Sequence, residues 1–164
     1  MRVALPLLLT LALAVSACGG KTRVIREAPA ASGPVGDLYP NETPELRRLI
    51  RAYAGRYQVP ESLVHRVIQR ESDYRANARN GPYYGLMQIL PETARTMGFR
   101  GDPAELLDAE TNLMWAGRYL RGAWIVADGD IDEAVMWYAR GYYYEARDRC
   151  LLVATGLRDR ELRC

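Results

Sequence analysis

The chain has 164 residues and a nearly balanced charge, with 22 Lys and Arg residues against 20 Asp and Glu residues and a formal net charge of +2. This balance argues against a general nucleic-acid-binding protein, which usually carries a strongly basic surface. Three cysteines and a single histidine offer no zinc-ligand spacing, so we predict neither a metal site nor a cofactor.

The N-terminal segment predicts export. Arg2 is followed by an almost entirely apolar run over 3–15, which is shorter than the roughly 20 residues that a membrane-spanning helix needs. Small residues precede Cys18, as expected before a cleavage site, and the segment resembles a bacterial lipoprotein signal. We therefore predict a signal peptide over 1–17 and a lipid anchor at Cys18. An ordinary signal peptide with an incidental cysteine is the alternative.

Residues 18–42 predict a flexible tether. The stretch is rich in Ala, Pro, Gly and charged residues, it lacks apolar periodicity, and fully extended it would reach about 80 Å. Gly19 rather than an aspartate follows Cys18, so the lipoprotein resemblance implies an anchor on the periplasmic face of the outer membrane. The alternative is that part of the stretch packs on the domain as an extended arm.

Residues 43–164 predict one all-α domain, long enough to bury a core without help from a metal. Apolar residues recur at helical spacing, as Leu113, Ala116, Leu120 and Trp124 do on the predicted face of the helix over 110–126, and no alternating strand pattern is visible. Proline, aspartate and glycine at expected cap positions predict where the helices begin and end. The predicted helical segments are 45–57, 60–71, 86–97 with a restart at Pro91, 103–108, 110–126, 131–140 and 143–152.

Cys150 and Cys164 remain once Cys18 is assigned to the lipid. An even pair of cysteines in an oxidising compartment favours a disulfide. The bridge would close a loop of about 15 residues and contribute about 3 kcal/mol. Two free thiols are the alternative that the sequence leaves open.

The acidic run over 128–133 does not predict a calcium site. An EF-hand loop needs glycine at its sixth position and glutamate at its twelfth, where this chain has Glu133 and Ala139. Capping of the following helix by Asp130 accounts for the run better.

Glu71 is the main candidate for a catalytic residue. It ends a predicted helix on the apolar face formed by Leu63, Val64, Val67 and Ile68. Partial burial and the negative end of the helix dipole would both raise the pKa of its carboxyl group. A carboxylic acid that stays protonated can donate to a leaving oxygen. Taken alone, a glutamate at a helix end is more often simply solvated.

An ordered series of motifs follows this glutamate. The series consists of Glu71-Ser72, the segment 84–94, Asn112-Leu113 with Gly117, Tyr119-Leu120, Tyr138 and Gly141. Over roughly residues 57–150 it resembles the soluble-type lytic transglycosylase domain of the lysozyme-like superfamily. The resemblance implies a two-lobed helical domain with a sugar-binding groove, which acts as a monomer on the glycan strands of peptidoglycan.

The resemblance also implies a reaction, cleavage of the β-1,4 bond between N-acetylmuramic acid and N-acetylglucosamine. Glu71 matches the family's single catalytic acid, which protonates the glycosidic oxygen and then takes a proton from the muramic C6 hydroxyl as a 1,6-anhydro ring closes. Asp73, the nearest other acid, would point away from Glu71 and is a poor nucleophile candidate.

Five residues fall at positions that the resemblance assigns to substrate binding: Ser72, Tyr84, Met87, Gln88 and Tyr138. Gln88 offers both a donor and an acceptor to an acetamido group. Several of these residues have a structural alternative, since Met87 is equally suited to the core, Ser72 to ordering a helix end, and Tyr138 to burial in an apolar stretch.

The chain departs from the family pattern around Tyr138. Where the family commonly has Ala-Tyr-Asn-Ala-Gly, residues 137–141 read Trp-Tyr-Ala-Arg-Gly, so the asparagine is absent and Arg140 is added. The usual proline five positions after the acid is Ala76. Two other functions stay open: a hydrolytic muramidase of the goose type, and a non-catalytic peptidoglycan-binding envelope protein.

Overall fold

The computed structural model describes residues 37–162 and 164. The predicted signal peptide, Cys18 and most of the predicted tether lie outside the described residues. Within the described range, no helix has both the length and the apolar character needed to cross a membrane.

Helices make up nearly all of the regular structure, which confirms the predicted all-α class. The α-helices are α1 (Pro44–Tyr57), α2 (Glu61–Glu71), α3 (Pro91–Thr96), α4 (Ala109–Val126), α5 (Ile131–Arg140) and α6 (Tyr143–Asp148). A 3₁₀ helix over Pro103–Leu107 precedes α4, and two short strands, β1 (Arg79–Asn80) and β2 (Tyr83–Tyr84), pair as an antiparallel hairpin between α2 and α3.

Side-chain caps explain why several helices begin where the sequence predicts. The hydroxyl of Thr43 accepts from the Leu46 amide at 3.2 Å at the start of α1, and the Asp130 carboxylate accepts from the Glu133 amide at 2.9 Å at the start of α5. Asp102 forms a capping box on the 3₁₀ helix. The bounds of α5 agree with the prediction residue for residue.

The predicted helices over 86–97 and 143–152 are both too long. The first is helical only over Pro91–Thr96, and the second ends at Asp148. Gln88 has a φ of 48° and Cys150 a φ of 56°, and this left-handed backbone interrupts a right-handed helix. The β1–β2 hairpin was not predicted, because its strands are too short to show an alternating pattern.

Helix α4 forms the centre of the domain and packs against α1, α3, α5 and the 3₁₀ helix. Its residues Leu113, Ala116, Leu120 and Ala123 are fully buried. The first three of these were predicted as its apolar face, and their burial shows that helical periodicity located the core correctly.

The last residues of the predicted tether pack on the domain. The ring of Tyr39 lies 4.9 Å from that of His65 and 5.6 Å from that of Tyr74, measured between centroids. Glu42 is buried and accepts hydrogen bonds from two nitrogens of Arg47, at 2.6 and 2.5 Å. Tyr39 and Glu42 therefore pack on the domain, although both fall within the predicted tether.

The C-terminal segment is fastened at two points. Cys150 and Cys164 are joined by a disulfide, with their Cα atoms 6.0 Å apart. The Glu161 carboxylate accepts from the amides of Leu152 and Val153 at 3.0 and 2.8 Å. These two contacts close the segment after α6 on itself, and the fully buried side chain of Leu152 packs the segment into the core.

Candidate active site

A cavity of about 520 Å³ lies where the C-terminal end of α2 meets the end of α5. Its walls also include residues of the hairpin, α3 and α4. The lining residues are Arg70, Glu71, Asn80, Tyr83, Gln88, Ile89, Leu90, Thr93, Tyr119, Tyr138, Ala139, Arg140 and Gly141. Among these described lining residues Glu71 is the single acid.

Glu71 is the last residue of α2, and 22% of its side chain is exposed. Burial raises the pKa of its carboxyl group. The Arg70 guanidinium, with Nε 3.6 Å from Glu71 Oε1, opposes part of that rise. A carboxyl group that has a raised pKa and faces a cavity is suited to donate a proton to a bound molecule.

A second carboxylate does not accompany Glu71 on the described lining. Asp73 lies just beyond α2 in left-handed backbone, with a φ of 51°, and its carboxylate accepts from the Asn41 side-chain amide at 2.9 Å. This contact keeps Asp73 on the surface beside the arm, in keeping with the interpretation that it is not a nucleophile.

Tyr138 reaches the same cavity from α5. Its hydroxyl donates to the Met87 carbonyl oxygen at 2.8 Å. Burial raises the pKa of Tyr138 well above its ordinary value, and the negative charge of Glu71 adds to the rise. The hydroxyl is therefore neutral, and because its one proton is bound to Met87, its oxygen can only accept from a ligand.

Asn112 holds the segment over 85–89 from the side of α4. Its side chain is fully buried, with Oδ1 accepting from the Met87 amide at 2.9 Å. Its Nδ2 donates to the carbonyls of Tyr84 and Leu106 at 2.9 and 2.8 Å. Because buried backbone groups need partners, this one side chain satisfies the Met87 amide and ties the segment to carbonyls of β2 and of the 3₁₀ helix. The sequence indicated Asn112 only as part of the ordered motif series.

Ser72 holds the same segment from the side of α2. It is buried, with 2% exposure, and its hydroxyl donates to the Leu86 carbonyl at 2.6 Å. Ser72 therefore orders the backbone beside Glu71, and it is not among the residues that line the cavity. Its role in substrate binding stays a prediction.

Met87 and Tyr84 were also predicted to contact substrate, and the structure places neither on the cavity lining. The Met87 side chain is fully buried in the core. The Tyr84 ring is covered by Arg79, whose Cζ lies 4.6 Å from the ring centroid. Its neighbour Tyr83, 42% exposed, lines the cavity instead. Successive residues of a strand face opposite sides, so the unpredicted hairpin decides which tyrosine is available.

Gln88 lines the cavity, but its side-chain donors are already occupied. Its Nε2 donates to the carbonyls of Ala78 and Gly85 at 3.1 and 2.7 Å. The side-chain oxygen has no hydrogen bond to any described residue and remains as an acceptor. Of the donor and acceptor roles expected of Gln88, only the acceptor role is open.

Other lining residues were not among the predicted site residues. Those with polar or aromatic side chains are Arg70, Asn80, Tyr83, Thr93, Tyr119 and Arg140. Thr93 and Tyr119 lie within the ordered motif series and Arg140 was visible as a departure from the family pattern, whereas Arg70, Asn80 and Tyr83 belonged to no motif.

The family model for the transglycosylase SLT domain matches residues 48–148. The chain belongs to this family. The match spans the whole lining of the cavity, and it confirms the resemblance drawn from the ordered motifs. At the level of the family, an SLT domain supports lytic transglycosylase-type activity on peptidoglycan. No solved structure matches this chain.

Proposed function

We propose that this SLT-domain protein cleaves the β-1,4 bond between N-acetylmuramic acid and N-acetylglucosamine in peptidoglycan and leaves 1,6-anhydromuramic ends. The observation that carries the proposal is the half-buried Glu71, the single acid on the described lining of the cavity. Its raised pKa and its place in an SLT domain suit it to the role of the catalytic acid.

Glu71 acts first as an acid. It gives its proton to the glycosidic oxygen while the bond to muramic C1 breaks and an oxocarbenium-like charge develops at that carbon. Burial favours this step because it keeps a larger fraction of the carboxyl group protonated than in open solvent. The carboxylate that remains then lies beside the positive charge and stabilises it.

Glu71 acts next as a base. The carboxylate takes the proton from the muramic C6 hydroxyl, and the C6 oxygen bonds to C1 and closes the anhydro ring. Glu71 ends protonated as it began, and no water is consumed. The lining described here supports this route because, unlike glycosidases that use a pair of carboxylates, it presents one acid.

The remaining lining groups position the sugars. The free side-chain oxygen of Gln88 and the Tyr138 oxygen accept from an acetamido N–H or a sugar hydroxyl. The exposed face of Tyr83 packs on sugar C–H groups. Ser72 and Asn112 hold the backbone next to Gln88.

Digestion of purified sacculi, with mass spectrometry of the released fragments, tests the function. Anhydro ends support the transglycosylase, reducing ends support a goose-type muramidase, and binding without release supports a non-catalytic protein. Glu71→Gln is expected to lower release by about 100-fold or more while sacculus binding persists. Glu45→Gln, at an exposed glutamate of α1, is the matched control. Full release by Glu71→Gln would overturn the assignment.

We further propose that the protein is a monomer anchored by lipid at Cys18 to the periplasmic face of the outer membrane. The small residues before Cys18 and the peptidoglycan-directed family support this location, and the Cys150–Cys164 disulfide fits an oxidising compartment. Cys18→Ser is expected to abolish labelling by radioactive palmitate and to release the protein from membranes. Unchanged labelling would contradict the anchor.

A further inference from the structure

Arg140 stands between two neighbouring cavities. It is the last residue of α5, and with Gly141 it lines both the cavity that holds Glu71 and a second cavity of about 350 Å³. The walls of the second cavity include three aromatic side chains and two acids. Its other lining residues are Trp137, Tyr143, Tyr144, Glu145 and Asp148.

The Arg140 guanidinium is held in place but has no anionic partner. Its Cζ lies 4.3 Å from the centroid of the Trp137 ring, a cation–π contact between residues one helical turn apart. Among the described residues it forms no ion pair and no side-chain hydrogen bond. The neighbouring Arg147 and Arg149 differ, because each is paired with an aspartate.

An arginine oriented in this way is suited to bind a carboxylate. Its planar guanidinium offers five N–H donors in a fork that matches two carboxylate oxygens, and stacking on a ring leaves the edge of that fork free. The position also matters, since a group bound to Arg140 would lie between the Glu71 cavity and the aromatic cavity.

The substrate proposed above carries carboxylates close to the bond that is cleaved. Muramic acid bears a lactyl substituent, whose carboxyl group is free in strands that have lost their peptides. In strands that keep their peptides this carboxyl is amide-linked, and the peptide supplies carboxylates of its own. In both kinds of strand the anionic group extends from the muramic ring and not from the glucosamine ring.

We propose that Arg140 is a specificity-determining residue that binds a carboxylate on the substituent of muramic acid, while the aromatic cavity receives the rest of that substituent. The proposal rests on the proposed function of the Glu71 cavity. It gives a role to Arg140, an arginine that the family pattern lacks at this position. It also predicts that the protein prefers strands whose muramic acid carries an anionic substituent.

Three matched substrates test the proposal: peptide-bearing strands, strands freed of peptide by an amidase, and amidase-treated strands whose lactyl carboxyls are converted to methylamides. Arg140→Met is expected to reduce the preference for carboxylate strands over methylamide strands by about tenfold, as loss of a charge-assisted hydrogen bond predicts. The change should lie mainly in KM, since the carboxylate takes no part in breaking the bond.

Arg140→Lys keeps the charge but not the fork, so its loss of preference should be smaller. Arg48→Met, which removes an exposed arginine of α1 paired with Glu45, controls for net charge. A loss on amidase-treated strands assigns the lactyl carboxylate, and a loss confined to peptide-bearing strands assigns a peptide carboxylate. The proposal is refuted if Arg140→Met prefers both the peptide-bearing and the amidase-treated strands over the methylamide strands as strongly as the wild type does, or if Arg48→Met changes these preferences equally.

Binding measurements test the role of Arg140 independently of the proposed catalytic function. The same three strands are titrated against Glu71→Gln and against the double variant Glu71→Gln/Arg140→Met. About tenfold weaker binding of the carboxylate strands by the double variant supports the role of Arg140, even if no strand is ever cleaved. If cleavage depends on Glu71 but the two variants bind the carboxylate strands equally well, the proposed function stands and the role of Arg140 is refuted.

Discussion

The Tyr138 hydroxyl donates to the Met87 carbonyl oxygen at 2.8 Å and thereby joins α5 to the segment that runs beside Glu71. The amide of Met87 is bound in turn by Asn112 of α4, at 2.9 Å. Both main-chain polar groups of this buried residue are therefore satisfied by side chains from two different helices. Tyr138, which matches a substrate-binding tyrosine of the family, therefore also holds the segment over 85–89 in place.

Tyr138→Phe should destabilise the protein. The substitution leaves the Met87 carbonyl without a donor in a buried position, which costs about 1–2 kcal/mol. The free energy of unfolding, measured by urea titration, is expected to fall by that amount. Tyr144→Phe, at a tyrosine that is 70% exposed, should change it by less than about 0.5 kcal/mol. If Tyr138→Phe were as stable as the wild type, the hydroxyl would contribute only to ligand binding and not to the stability of the fold.

Arg70→Met should move the pH dependence of activity. An acid catalyst must be protonated, so the rate falls as the pH rises through the pKa of Glu71. Arg70 lowers that pKa, because its cation favours the charged carboxylate. Without it, the alkaline limb of the kcat/KM profile is expected at higher pH than in the wild type.

The control for Arg70→Met is Arg66→Met, which removes an exposed arginine of the same helix that pairs with Asp132. Its alkaline limb should coincide with that of the wild type. A limb that stays in place in Arg70→Met, or moves to lower pH, would show that Glu71 is not the group that controls the rate.

Gly85→Ala should be strongly destabilising. Gly85 has a φ of 75°, and a Cβ atom there would collide with the Leu106 carbonyl oxygen and the Asn112 side-chain amide. Neither can move without breaking the hydrogen bonds that hold the segment beside Glu71, so we expect a loss of about 3 kcal/mol or more. Gly81→Ala isolates the backbone cost, because Gly81 has a φ of 57° but open space around it. It should lose only about 1–2 kcal/mol. Similar losses in both variants would contradict the crowding argument.

Sequence reasoning located the helices better than the irregular segments. Caps and periodicity are local signals, and they placed the bounds of α5 and the buried face of α4 correctly. Glu71 was found in the same way, because its position relative to the apolar face of α2 follows from helical geometry.

The side chains of the turns could not be placed in this way. The direction of Tyr83 and Tyr84 depends on a hairpin of two-residue strands, and the burial of Met87 depends on contacts with two distant helices. The hydrogen bonds that occupy the Gln88 amide also come from outside any helix. Motif matching gave their positions in the chain but not the direction in which each side chain faces.

The buried pair between Glu42 and Arg47 predicts that the arm stabilises the domain. Burial by itself would raise the pKa of Glu42, but hydrogen bonds from Arg47 and from the Tyr39 amide outweigh it and lower the pKa below its ordinary value of 4.5. A carboxyl group whose folded pKa is lowered contributes stability above its unfolded pKa and loses it as the pH falls through the folded value. The contribution of this pair should therefore be complete at neutral pH and disappear in acid below pH 4.5.

Glu42→Leu tests this contribution, because it leaves the buried Arg47 cation unpaired. The free energy of unfolding of the full chain at pH 7 should fall by about 3 kcal/mol, with a smaller difference in acid, where the wild type also loses the charge. The double variant Glu42→Leu/Arg47→Met removes both charges and should recover most of the loss, since no unpaired ion remains. If Glu42→Leu were as stable as the wild type at pH 7, residues 39–42 would belong to the tether and not to the domain.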